Sequence, residues 1–430
     1  MIRIHIKNGH VIDPANSIDA KNDVYIEHGK IVSVGNKPEQ FTAEQTIDAN
    51  DKYVIPGLVD LSARCREPGE SHKGSIASET RAAAHGGITT LCLPPDTNPV
   101  IDTPAVMELI HQRTEKANNA KVVMLGALTK NLNNEQLSEI ATLKAAGCVG
   151  ISNADSLISN TSILRHAMEY VATHDLTLFL NPQDSYLTEN GCVHEGEISI
   201  RLGLIGIPTT AETIAVARDL LLIEQTGVRA HFCQLSSAPA VQLIADAIER
   251  GLPISADVSA HQLHLTEHDI GFFDPNYHVY PPLRSERDKT GLRQAVKDQI
   301  ISAICSDHQP HDVDAKLAPF AESEPGISSL ETLLPLSLRL VNDGILNLPQ
   351  LIACLTKQPA TILGIDAGCL GVGKAADICI FDANAHWTFN TDSMISHGHN
   401  SPFNGWDMTG KVCYTLLNGA ITYQADNNHD

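Results

Sequence analysis

A basic face is the first thing this sequence lacks. Lys and Arg total 30 against 51 Asp and Glu, a formal net charge of −21. Nucleic acid and anionic membranes are both bound through clustered positive charge, so neither is an expected partner. Long apolar runs are missing too. No stretch approaches the roughly 18 residues a membrane helix needs, and the first residues (Met1-Ile2-Arg3-Ile4-His5-Ile6-Lys7) alternate instead of forming a signal-peptide core. A cytoplasmic protein is expected. The ten cysteines contain no Cys-x-x-Cys pair and are scattered, often within apolar runs such as Cys148-Val149-Gly150-Ile151. Reduced thiols packed as small apolar residues are the expectation. Internal repeats and low-complexity linkers are also lacking.

What the chain does have is length and alternation. Its 430 residues suffice for a large domain and a small one. Short strand patterns with Asn8-Gly9 and His28-Gly29 turns fill the first 52 residues, and similar strands recur near 375–425 around Asn418-Gly419. Residues 1–52 and 372–430 are therefore expected to join in one β-sandwich, with 53–371 as the second domain. The His/Asp/Asn-rich residues 426–430 read as a frayed tail. In the middle, eight apolar stretches read as strands: 54–61, 88–93, 121–127, 148–152, 177–181, 229–236, 254–259 and 301–306. Helical spacing runs through 105–117, 134–146, 162–174, 211–225 and 238–250, and later through 330–341 and 348–363. Glycines close several of these helices (Gly147, Gly227, Gly251). The pattern is that of an α/β protein, a (β/α)8 barrel. Reactive side chains are then expected at the C-terminal strand ends.

Those strand ends carry a resemblance. After the first strand stands Asp60-Leu61-Ser62-Ala63-Arg64-Cys65-Arg66-Glu67-Pro68-Gly69. Later come Pro95-Asp96-Thr97-Asn98-Pro99, Ser152-Asn153-Ala154-Asp155, Asn181-Pro182-Gln183-Asp184, His231-Phe232-Cys233-Gln234-Leu235-Ser236, Tyr280-Pro281-Pro282-Leu283-Arg284 and Ser306-Asp307-His308-Gln309-Pro310-His311. In this order, and over nearly the whole chain, they resemble the dihydroorotase family of the amidohydrolase superfamily. Active members read Asp-x-His-x-His-x-Arg-Glu-Pro-Gly at the first strand. The resemblance implies that five metal-site positions are substituted here: Ser62, Arg64, Asn181 and Gln234 replace histidines, and Asn153 replaces the bridging carboxylate. Of that set only Asp307, the family's general base, is kept. Arg66 and His311 match the family's substrate contacts, whereas Asp96 stands where an asparagine would touch substrate. Its charge there needs a compensating cation. Framework positions such as Gly206-Ile207-Pro208, Glu212, Gly326 and Ser401-Pro402-Phe403 persist, so the substitution is selective.

The chemistry of the substitutions is severe. Opening a cyclic amide needs an activated water, and a zinc-type centre moves the pKa of that water from about 15.7 to about 7. At about 1.36 kcal/mol per unit, roughly 12 kcal/mol of activation goes with the metal. A lone general base supplies only about 10²–10⁴-fold. Amides and hydroxyls are poor zinc ligands, and a guanidinium repels a divalent cation. Zinc is expected of active relatives and absent here, with Arg64 in part of the metal space paired to Asp307. Two histidine groups are weaker metal candidates: His261/His264/His268, if helical, and the Asp307/His308/His311/Asp312/Asp314 loop.

The resemblance is strongest to inactive dihydroorotase-like chains that hold bacterial aspartate transcarbamoylase together. It implies a non-catalytic structural subunit in pyrimidine biosynthesis, partnered by the transferase catalytic chain and itself a homodimer within a hetero-oligomer. An active hydrolase of cyclic amides with an atypical site is the alternative. A module sensing carbamoyl-aspartate or dihydroorotate through Arg66 and His311 is the third reading.

Overall fold

The computed structural model describes residues 2–425, so the expected frayed tail at 426–430 lies outside the described residues. Eight parallel strands form the central sheet: Leu58–Asp60, Ile88–Leu93, Lys121–Ala127, Gly150–Ser152, Thr177–Leu180, Ala230–Phe232, Ile254–Ser259 and Ala303–Cys305. Each is hydrogen-bonded to the next in sequence. The ring closes beyond the strand ends, where the Arg64 N–H donates to the His308 carbonyl (2.9 Å) and the His308 N–H to the Ser62 carbonyl (3.1 Å). The expected (β/α)8 barrel is present. Its interior is filled by Val59, Leu61, Cys92, Leu125, Phe179, Ala303 and Cys305, and the helices wrap its outside.

Two sheets stand beside the barrel. One joins Ile4–Lys7, Val24–Glu27, Lys30–Val34 and Gln45–Asp48, and the other runs 420–424, 407–417, 378–388, 53–56, 10–13 and 18–21. Alternate residues (Ile4, Ile6, Val24 and Ile26 from the first; Val11, Val54, Ile378 and Ile380 from the second) bury one shared core.

Three expected elements come out differently. The strand at 54–61 is two strands: Tyr53–Pro56 pairs with Ile378–Phe381 in the terminal sheet, and only Leu58–Asp60 joins the barrel. The break falls at Pro56-Gly57, where a Cβ on Gly57 would lie 2.2 Å from Thr89 Oγ1. The helix at 134–146 shrinks to Ile140–Ala145, because Asn131 and Asn134 hold left-handed backbone and the Asn134 amide donates to the Leu157 carbonyl. The helix at 348–363 splits into Leu348–Leu355 and Lys357–Leu363 at Thr356. Pro359 explains this: its ring would clash with the Leu355 carbonyl of a continuous helix.

Three helices are not marked by the apolar spacing, the short Glu197–Leu202 and two longer ones. Ile76–His85 opens with a Ser75/Ser78 capping box, and Glu286–Lys297 with one from Ser285 and Asp288. Both are short on large apolar residues, so periodicity could not reveal them. All ten cysteines are free thiols, seven of them buried. Among the described residues, no helix is long and apolar enough to cross a membrane.

Candidate functional site

The barrel closure places the first and last strand ends side by side, and the site is built there. Ser62, Arg64 and Asp307 are all buried. Ser62 Oγ is 3.5 Å from Asp307 Oδ1. Arg64 extends across the mouth. Its Nε donates to Asp96 at 2.7 Å and its Nη2 to Asp155 at 2.6 Å, while Nη1 stands 3.8 Å from Asp307. The expected Arg64–Asp307 pair is thus the longest of three contacts. The guanidinium fork reaches two carboxylates from other strand ends at short range, and a single aspartate could not satisfy it. Burial works against the charge on Arg64, but Asp155, Asp96 and Asp307 outweigh it and raise its pKa. Asp96 thereby has its compensating cation.

The remaining substituted positions are wired into the same wall. Asn181 Nδ2 donates to Asp155 Oδ1 at 2.7 Å, so Asp155 is shared between Arg64 and Asn181. Asn153 uses both ends of its amide: Oδ1 accepts from the Thr129 N–H and hydroxyl, and Nδ2 donates to Asn134 Oδ1 (2.7 Å) and the Ser156 carbonyl (2.9 Å). A carboxylate there would face two acceptors with nothing to donate. Asn153→Asp alone is expected to cost about 1–3 kcal/mol, read as a lower midpoint in urea unfolding. An unchanged midpoint would contradict this network. Gln234 lies half-buried across the mouth with Nε2 3.9 Å from Cys305 Sγ.

Arg66 and His311 do meet, with Nη2 2.9 Å from Nε2, but both are occupied. Arg66 Nε donates to the Pro310 carbonyl and Nη1 is 3.4 Å from Glu70, while His311 Nδ1 is 3.3 Å from Glu324. Burial first, then Arg66, pushes His311 down to about 2, so it is neutral. Lys73 ties Glu70 (3.0 Å) to Glu324 (2.6 Å) over this pair. A cavity of about 280 Å³ remains beside it, lined by Arg64, Arg66, Glu70, Asp96 and Asn98 among others.

Both weaker metal candidates disperse. His261 lies buried on a short 3₁₀ turn with His264 half-buried just past it, and His268 lies in a second one, so no shared helical face exists. Their ring nitrogens go to Ser259 Oγ and the Leu336 carbonyl, and burial pushes each down to about 3. In the last loop His308 turns away to Glu79 (2.9 Å) and His311 turns to Arg66. Asp312 accepts from the Ala315 N–H instead.

Burial pushes the Asp307 carboxyl up to about 7, against the pull of Arg64 and with a further push from Asp155. A carboxyl raised in the folded state keeps a proton that the unfolded chain has released. The fold therefore loses stability as pH climbs from about 4 to about 7, and the loss is complete above that. Asp307→Asn removes this penalty and leaves Arg64 its two shorter pairs. At pH 8 the variant is expected to be more stable than the parent by about 1–3 kcal/mol, with the gap closing toward pH 4. Urea unfolding at both pH values checks it, and a destabilised variant at pH 8 would refute it.

The zinc centre that the family resemblance implies does not fit this donor set. A guanidinium, two amides, a hydroxyl and a committed Asn153 stand where nitrogen and carboxylate ligands are needed. Sequence reasoning missed Asp155, the carboxylate that organises Arg64 and Asn181. Its signal was present as a third charge beside Asp96 and Asp307 facing one unpaired Arg64.

A closed parallel barrel flanked by paired sheets from both chain ends, with charged side chains gathered at the C-terminal strand ends, defines an amidohydrolase-type protein. The solved L-hydantoinase (dihydropyrimidinase) from Arthrobacter aurescens has this fold, with a TM-score of 0.87 at 24% identity over 98% of this chain and 96% of that one. A dihydro-orotase-like family model matches residues 51–239. A dihydroorotase-like protein of Pseudomonas aeruginosa (strain PAO1) is 51% identical over 98% of this chain and 99% of its own. A dihydroorotase of Syntrophotalea carbinolica is 40% identical over 98% and 99%. The chain belongs to the dihydroorotase-like family.

Proposed function

We propose that this chain is a catalytically silent dihydroorotase homologue in pyrimidine biosynthesis. Its role is that of a structural subunit, pairing as a homodimer and holding the catalytic chains of aspartate transcarbamoylase in a hetero-oligomer in the cytoplasm. It carries no zinc in the inherited site. The observation that carries the silent reading is the Arg64 guanidinium, bound within 2.7 Å of both Asp96 and Asp155 in the space where relatives need metal ligands. A fixed internal cation there serves the carboxylates and activates no water. The partner rests on the family resemblance alone.

Interconversion of dihydroorotate and N-carbamoyl-aspartate by the purified protein, with and without added zinc, tests the silent reading. A rate at the uncatalysed background in both conditions is expected. Affinity purification from native extract is expected to bring down aspartate transcarbamoylase, and its absence would sink the scaffold role. A second reading, a working cyclic-amide hydrolase, is favoured by one observation: Asp307 is kept and its carboxyl is poised near 7, where a general base works. A zinc-dependent rate would promote that reading.

A further inference from the structure

The geometry points to a metal site that uses none of the inherited ligand positions: His231, Cys233 and Asp257 hold one zinc-class divalent cation just inside the mouth of the barrel. His231 lies in the sixth barrel strand, Ala230–Phe232, and Cys233 follows its last residue, two positions on and so on the same side while the chain stays extended. Asp257 lies on the seventh strand, whose register places Ser255 beside His231 and Ala256 beside Phe232. One step further along, Asp257 comes level with Cys233. One ligand atom from each residue, an imidazole nitrogen, the thiol sulfur and a carboxylate oxygen, lies within 4.8 Å of the other two. His231 Nε2 and Asp257 Oδ2 are 3.0 Å apart. Bonds near 2.3 Å to sulfur and near 2.0–2.2 Å to nitrogen and oxygen put donors roughly 3–4 Å apart around one ion, so small side-chain shifts suffice.

A plain His–Asp hydrogen bond would explain two of these residues but not the thiol converging on them. The supporting groups are those a metal site needs. Ser255 Oγ is 2.8 Å from His231 Nδ1, and Asp257 Oδ1 accepts the Gln234 N–H at 2.6 Å. The surroundings favour a cation as well. Asp60, Asp257 and Asp307 are all buried at these strand ends, and the Arg64 guanidinium is spent on Asp96 and Asp155 at short range. Cys233 and Gln234 are only half-buried, which opens the site to the mouth. On binding, the imidazole proton sits on Nδ1, where Ser255 Oγ accepts it. The Cys233 thiol proton leaves to solvent. A thiolate, a carboxylate and a neutral imidazole then balance the charge of a divalent ion.

The probe is Co²⁺ added to the full chain after chelator treatment, a measurement that needs no turnover and so separates from the activity assay above. One equivalent is expected to bind, with thiolate-to-cobalt absorption, release of about one proton and displacement by Zn²⁺. Cys233→Ala is expected to abolish the absorption and weaken binding at least about 100-fold, and Asp257→Asn to weaken it about 10–100-fold. Cys148→Ala, in a thiol packed elsewhere, is expected to change neither. Absence of saturable binding, or absorption that survives in a folded Cys233→Ala protein, would overturn the site.

Discussion

Arg64→Ala is expected to destabilise the protein by about 3 kcal/mol, seen as a lower urea midpoint with an unchanged slope. The arginine is 9% exposed and gathers three aspartates from three other strand ends. Removing it leaves Asp96 and Asp307 facing each other across a low-dielectric mouth. Losing one partner of a buried pair costs about 3–5 kcal/mol, and the low end applies because Asp155 is 45% exposed and can turn to water. The double variant Arg64→Ala/Asp96→Asn is expected to recover at least half of the loss, since it removes the charge left stranded. An Arg64→Ala midpoint within error of the parent would mean that the three contacts carry no net stability.

Restoring the metal site is expected to give the largest change in rate. Ser62→His, Arg64→His, Asn153→Asp, Asn181→His and Gln234→His together, with Asp96→Asn to remove the charge orphaned by Arg64, should bind zinc and hydrolyse dihydroorotate. A zinc-dependent rate at least about 10³-fold above the parent is the expected outcome, a fraction of what water activation offers. Arg64→His alone should stay at background, because one histidine among amides does not hold the ion. If the full set binds zinc stoichiometrically and still does not turn over, the ligand losses are not what keeps this chain silent.

The barrel was legible because buried parallel strands and wrapping helices impose different periods, and those periods survive in the sequence. Its finer edges were not. The split at Pro56-Gly57 depends on Thr89 crowding a glycine from another strand, which no local pattern records. The helix Ile76–His85 rests on capping and alanine rather than on an apolar stripe. At the site, the identities of Ser62, Arg64, Asn153, Asn181 and Gln234 could be read from the strand-end motifs, but their wiring could not. A guanidinium chooses among carboxylates by reach, so Asp96 and Asp155 outcompete Asp307 only in three dimensions. The convergence of Cys233 on Asp257 likewise follows from register between strands, which residue order does not state.

The strand Tyr53–Pro56, which immediately precedes the barrel, is clasped on one side by His10–Val11 and on the other by Ile378–Phe381. Ser396 and Asn400 reach back to Glu79 and to the backbone at Gln309 and Gly326. During synthesis, therefore, this strand of the terminal sheet emerges more than three hundred residues before its outer neighbour exists. The terminal sheet keeps that edge unclasped until residues 378–381 leave the ribosome. Such long-range pairing makes for slow closure, and shielding of that edge by a chaperone matters most for this chain during this interval.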